Sequence, residues 1–185
     1  MIKIKIIEEI IPYTGSELKP HWIFHKTGIV NDAVVAFRGP CDVPVEKMVD
    51  LVDVRDNKPI FSKDMIHMIG EFYSFTLKET ILLQRLLVSL AQQEIIFSGK
   101  DLRIIRGGND LYEGDSKLSV AIAAPSTNST LIHFGINIDS TGTPVKTKGL
   151  KDYNLDPMSF AKTLLESFKF EYESLLEAKA KVRSV

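Results

Sequence analysis

Apolar residues recur at every second position in three separated stretches of the chain. Ile2, Ile4 and Ile6 alternate with Lys3 and Lys5; Leu118, Val120 and Ile122 follow Lys117, Ser119 and Ala121; Ile132, Phe134, Ile136 and Ile138 alternate with His133, Gly135 and Asn137. A period of two is the mark of strands with unlike faces, because successive side chains leave a pleated backbone on opposite sides. Two other stretches carry helical spacing. Thr76-Leu77-Lys78-Glu79 reads as a capping box and opens a helix to about Gln93, with Leu82, Leu83, Leu86, Leu87 and Leu90 as its apolar stripe. Asp156-Pro157 reads as an N-cap followed by proline in the first turn of a long final helix, with Ala161, Leu164, Leu165, Phe168, Tyr172, Leu175 and Leu176 facing the core. The fold class that follows is α+β, a largely antiparallel sheet covered by helices on one face.

The remaining segments fit around that frame. Ser16 to Lys26 is predicted as a short helix closed by Gly28 and anchored by Trp22. Ala33 to Phe37 is a buried strand that stops in a tight polar turn at Arg38-Gly39-Pro40-Cys41, and Val43 to Ser62 is a short helix or irregular crossing. Met65 to Phe75 returns to strand character, with His67, Glu71 and Tyr73 on one face and Met68 and Phe72 on the other. Ser140 to Asp156, with Gly142, Pro144 and Gly149, reads as a long exposed loop.

With 185 residues, the chain suits one domain over 1–185. Its net charge of -1 and lack of a basic stripe argue against a nucleic-acid partner, which needs clustered cations for phosphates. No apolar run approaches the roughly 18 residues of a membrane span, and no signal-like segment opens the chain, so a cytoplasmic protein without a membrane partner is expected. The single Cys41 excludes an internal disulfide.

Chemistry concentrates between Arg106 and Ser119. Gly107 and Gly108 free the backbone for a tight turn, Asn109 and Asp110 offer oxygens, and Gly114-Asp115 forms a hairpin tip. An ordinary hairpin with a wet loop and a ligand-binding hairpin are both compatible with this composition. The alternation assigns Leu118, Val120 and Ile122 to the helix-covered side, so that His67, Glu71, Lys117, Ser119, His133 and Asn137 share the second face. That polar face, beside the long loop, is either a solvated sheet surface or a cleft. His67 and His133 are placed to meet across the sheet or to serve as acid and base. His21 and His25 have helical spacing but no third ligand, so no metal site is assigned.

Gly108-Asn109-Asp110-Leu111 followed by Lys117-Leu118-Ser119 resembles the Asn-Asp-Leu loop and Lys-(Ile/Leu)-(Ser/Ala) strand of lipoate-protein ligases and biotin protein ligases. Phe134-Gly135-Ile136-Asn137-Ile138 is similar to the Gly-Ile-Asn-Val strand of biotin ligases, and the order of elements agrees. Across nearly its whole length the chain also resembles an archaeal family of unknown function that shares the Phe-Arg-Gly-Pro turn, the Asp-Leu-Tyr and Lys-Leu-Ser core and the Gly-Thr-Pro-Val loop.

The ligase resemblance implies a biotin/lipoate ligase-like fold, a small-molecule acyl or carboxylate ligand and a carrier-protein acceptor. It implies that Lys117 contacts an acyl carbonyl and the phosphate of an acyl-adenylate, and that Asn109 and Asp110 approach a nucleotide, often through a metal. The candidate catalytic residues are Lys117 and His133; the candidate ligand-binding residues are Arg38, His67, Arg106, Gly108, Asn109, Asp110, Ser119, Gly135 and Asn137. The Arg-Arg-x-Ser-Gly-Gly-Gly segment of lipoate ligases and the Gly-Arg-Gly-Arg segment of biotin ligases are absent, with Arg38-Gly39-Pro40 near their place, and Val120 stands where those families carry glycine. The sequence therefore leaves open whether ATP and magnesium are used. Octanoyl transferases of the same fold dispense with ATP and use a cysteine thioester; their cysteine lies elsewhere in chain order, so Cys41 is weighed on its setting alone, as an exposed thiolate or a small core residue. Two function classes follow: a cofactor ligase or acyltransferase-like enzyme, and a non-catalytic binding or assembly protein whose exposed Met1 to Ile11 strand pairs with a second copy as a homodimer.

Overall fold

The computed structural model describes residues 1–99, 102–143 and 145–184. Among these residues eight strands and four α-helices follow in the order β1 (Lys3–Ile7), α1 (Trp22–Thr27), β2 (Ala33–Val43), α2 (Leu51–Arg55), β3 (Ile60–Phe72), α3 (Leu77–Ser98), β4 (Ile104–Gly107), β5 (Asp110–Glu113), β6 (Ser116–Lys117), β7 (Ser119–Pro125), β8 (Thr130–Asp139) and α4 (Pro157–Lys181). A five-stranded sheet runs β1-β2-β3-β8-β7, and β4-β5-β6 form a small second sheet. Among the described residues only β1 and β2 pair as parallel strands; every other neighbouring strand pair is antiparallel. This is the expected α+β architecture.

The helices begin where their sequence dictates. Thr76 accepts from the Glu79 amide while Glu79 accepts from the Thr76 amide, completing the capping box of α3. Asp156 accepts from the Ser159 amide ahead of Pro157, which supplies no amide where a helix has no use for one. Leu83, Leu87, Leu164, Leu165 and Phe168 from the two helices pack on Ile66, Met68, Ile132, Phe134 and Ile136 of the sheet. Leu82 points outward, about a hundred degrees around the helix from Leu83, and Leu175 and Leu176 are partly exposed where α4 runs past the sheet.

The second sheet face departs from expectation. It is covered by a second core, in which Tyr13, Trp22 and Ile23 lie on Val35, Phe37 and Ile69. Burying these aromatic and branched side chains offsets the loss of water on both sides of the central strands. Glu71 is sealed in this layer, where it accepts hydrogen bonds from the His21 amide and the Ser129 hydroxyl.

β2 also runs farther than its sequence suggests. Instead of ending at Phe37 it continues to Val43 through an irregularity between Gly39 and Cys41, which admits Pro40 without a missing ladder donor. The segment Ile11–Tyr13 lies along it, its amides donating to the carbonyls of Arg38 and Pro40. Cys41 is thereby fully buried, and burial pushes its thiol up to about 12. An exposed nucleophilic thiolate at this position is excluded.

Candidate functional site

Lys117 is held between two chains. Its backbone pairs with Tyr112 of β5 on one side and, through an isolated bridge, with Thr147 on the other. The tight turn at Gly114 brings β6 back along β5, and the one at Gly108 sets β5 against β4, both glycines lying in the left-handed region at φ 54° and 65°. Because Asp110 lies two residues before Tyr112, it shares the face to which Lys117 points. The Lys117 ammonium donates to Asp110 Oδ2 at 2.7 Å.

Each partner perturbs the other. Burial pushes the Asp110 carboxyl above its ordinary value, and the Lys117 ammonium and the nearby Ala121 amide pull part of the way back. Burial works against the charged ammonium of Lys117, but the Asp110 carboxylate outweighs it and holds the lysine above its ordinary value. Lys117 is therefore a cation at neutral pH, and a lysine has three donors, so two remain for a ligand.

Two cavities meet at this lysine. One, of about 200 Å³, runs between the small sheet and the second face, with Tyr13, Leu18, Val43, Ile122 and His133 among its walls. The other, of about 330 Å³, lies toward β3 and the loop after β8, with Phe61, Met65, Asn137 and Val145 among its walls. Lys117, Val120, Ile60 and Asp53 line both. The Ser62 hydroxyl borders the second cavity, buried and without a hydrogen-bond partner among the described residues, so its desolvation costs free energy.

The histidine pair lies at the floor of the first cavity. His67 Nδ1 is 3.1 Å from His133 Nε2, and His67 Nε2 is 3.2 Å from the Gly39 carbonyl oxygen. Tyr13 stacks on His133 with ring centroids 3.7 Å apart and planes within 7°. Burial drives His67 down to about 4 and His133 well below its ordinary value, so both rings are neutral at pH 7.

The structure brings Lys117, Asn109, Asp110 and His133 to the first cavity and Lys117, Ser119 and Asn137 to the second, and leaves Arg38, His67, Arg106, Gly108 and Gly135 outside both. Arg38 projects to the helix-covered side, where it forms a two-pronged pair with Asp64 at 2.8 and 2.6 Å and borders a separate groove beside α4. Its strand continues instead of turning, so parity carries it away from the cleft. Arg106 bends onto its own turn, donating to the Gly108 carbonyl at 2.5 Å, and neither residue reaches the cavities. Gly135 is filled over by Met65, Val120 and His133. His67 is fully buried behind His133. The Ser119 hydroxyl accepts from the Leu111 amide, and Ser119 pairs with Ile136 of the helix-covered face. The reason is a break at Leu118, between β6 and β7, that shifts parity by one: Val120 and Ile122 face the cavities, and Ala121 and Ala123 face the helices.

Sequence reasoning missed Tyr13, Ser62 and Asp53, which lie in segments without periodicity. It also missed the cluster in which Lys148 is paired with Glu113 and Tyr153 donates to the same carboxylate at 3.1 Å. His21 is the N-cap of α1, left-handed at φ 62°; its carbonyl accepts from the His25 amide, while its side chain meets Tyr73 and Asn128.

A nucleoside triphosphate is poorly matched by this cleft. Among the described residues its lining cations are Lys47, Lys58 and Lys117, and each already has a protein partner, in Ser16, Asp56 and Asp110. Asp50, Asp53 and Asp110 add negative charge to the first cavity. Gly108 and Gly114 lie at turns open to solvent, and neither lines a cavity.

The five-stranded mixed sheet backed by two long helices is similar in fold to biotin and lipoate protein ligases. The chain belongs to the family described as a domain of unknown function, DUF366, whose model matches residues 2–183. The uncharacterized protein MJ0805 of the archaeon Methanocaldococcus jannaschii is 39% identical over 160 residues, covering 83% of this chain and 72% of that protein. A protein of unknown function from Pyrococcus horikoshi superposes with a TM-score of 0.92 at 35% identity, over 100% of both chains. The Aquifex aeolicus biotin protein ligase in complex with biotin and ATP superposes with a TM-score of 0.60 at 15% identity, over 96% of this chain and 72% of the ligase, a likeness of fold alone. Among the described residues, no helix is long and apolar enough to cross a membrane.

Proposed function

We propose that this chain binds an acyl or other carboxylate-derived ligand against Lys117 and acts as a ligase- or acyltransferase-like protein toward a carrier acceptor. The observation that carries this reading is the position of Lys117, whose ammonium stands where two cavities meet and is held in place by Asp110. A positioned ammonium in a partly desolvated cleft stabilises charge developing on a carbonyl or phosphoryl oxygen, and losing one such donor costs about 100- to 1,000-fold in rate. The apolar walls of the second cavity suit an acyl chain. An already activated acyl group, such as an acyl-adenylate with its single phosphate, matches the two N–H donors that Lys117 keeps beside its pair with Asp110; a triphosphate asks for more positive charge, and no step through ATP is invoked.

A second reading is favoured by the cations that are already paired: a binding or assembly protein that keeps the fold without chemistry. β1 is an edge strand of the main sheet, available to a second copy. A thermal-shift screen with octanoate, lipoate, biotin, AMP and ATP separates the two, because a ligand that binds only the native state raises its melting point. The enzyme reading expects at least one carboxylate or adenylate to raise Tm in wild type and not in Lys117→Met. Equal responses in the two proteins, or none, favour the scaffold.

A further inference from the structure

The histidine pair is more than a buried contact, because its hydrogen bonds run in one direction. A carbonyl oxygen only accepts, so the proton between His67 and Gly39 belongs to His67 Nε2. In a neutral ring the other nitrogen is then a lone pair, and His67 Nδ1 must accept from His133 Nε2. The same step applied to His133 leaves its Nδ1 bare. Among the described residues nothing donates to that atom, and it is not one of the sealed polar atoms without partners, which are Ser62 Oγ, Gln84 Nε2, Asp110 Oδ1 and Glu173 Oε1. His133 lines the first cavity, and it is only 3% exposed.

We infer that the first cavity recognises a ligand group by the hydrogen bond that group donates to His133 Nδ1, so that its occupant carries an N–H or O–H on a compact, otherwise apolar ring or amide. Leu18, Val43, Ile60 and Ile122 supply apolar walls, and Tyr13 fixes the imidazole plane by stacking on it. An acceptor held in such surroundings discriminates against a ligand lacking the donor, which would leave the nitrogen desolvated and unpaired. His67 is a positioning residue: it touches no ligand but fixes which nitrogen of His133 carries the proton. The inference rests on the reading above only in treating this cavity as a ligand site; it requires nothing of Lys117.

The test uses two probes of one shape, indole with an N–H and benzofuran with an oxygen in its place, titrated into the full chain by NMR. Long-range ¹H–¹⁵N spectra of the histidines are expected to show both His67 and His133 protonated on Nε2 at pH 7. Indole should bind about tenfold more tightly than benzofuran and shift the His133 Nδ1 resonance. His133→Phe, which keeps a ring beneath Tyr13, should abolish the preference, and His67→Leu should let an Nδ1-protonated His133 appear. An Nδ1-protonated His133 in wild type, equal binding of the two probes, or binding of neither overturns the inference, even if the variants do not fold. Octanoate and lipoate are titrated into the same wild-type protein: no carboxylate binding with the indole preference intact overturns the acyl reading alone, and equal binding of indole and benzofuran with carboxylate binding intact overturns this inference alone.

Discussion

Asp110 and Lys117 stand seven residues apart in the chain, yet their side chains meet at 2.7 Å because the turn at Gly114 folds β6 back on β5. The pair is partly exposed, at 31% for the lysine side chain and 19% for the aspartate, so water screens some of its attraction. Asp110→Asn leaves the ammonium without its counter-charge and is expected to cost about 1–2 kcal/mol in urea unfolding. Lys117→Met on that background should recover part of the loss, a coupling that a double-mutant cycle measures.

Acid should destabilise the protein through its buried histidines. The folded-state value of His67 lies at about 4, below the ordinary 6.5, so the unfolded chain takes up protons first as pH falls. The contribution is complete above 6.5 and is lost as pH falls toward 4, with His133 adding in the same direction. Urea unfolding at pH 7 and 4.5 should differ by about 2–3 kcal/mol from His67 alone. A double variant, His67→Leu with His133→Phe, should lose that part of the difference; an unchanged slope would show that the rings are not held neutral.

Gly39 supplies the carbonyl that orients His67, and it has no room for a side chain. A Cβ at this position would overlap the Ile11 carbonyl, where the edge segment crosses β2. Gly39→Ala is expected to destabilise by about 3 kcal/mol or more, since backbone must move to accommodate it. Thermal unfolding checks this, and a loss below about 1 kcal/mol would mean that the segment is not seated as described.

Cys41 is expected to be chemically silent. Fully buried, with its thiol pushed up to about 12, it offers no thiolate at neutral pH. A disulfide reagent such as DTNB should label it only after denaturation, and Cys41→Ala should leave ligand affinity unchanged. Rapid labelling of the native protein would reopen a thioester route.

Most of the architecture could be read from residue spacing, because alternation and capping are local. Ile132 to Ile138 announced the central strand, and Thr76 with Glu79 announced the start of α3 to the residue, though the helix runs on to Ser98 and past the expected end near Gln93. The site was harder to read for two physical reasons. At Leu118 the letters continue to alternate while the backbone slips, so a pattern of period two assigned Val120 and Ile122 to the wrong side. The cover of the second face comes from single residues such as Tyr13 and Leu18 in aperiodic segments, whose contacts are long-range and leave no local trace. Arg38 was misplaced because β2 continues through it instead of turning, so plain alternation from Phe37 sets its side chain on the helix-covered face, against Asp64.

The account turns on Lys117 as the ligand-holding cation, and calorimetry with a non-hydrolysable acyl-sulfamoyl adenosine tests it most directly. Wild-type protein should bind the compound with measurable heat, and Lys117→Met should bind it at least tenfold more weakly while unfolding as cooperatively as wild type. Equal affinity in the two proteins, or no binding to wild type, would contradict it.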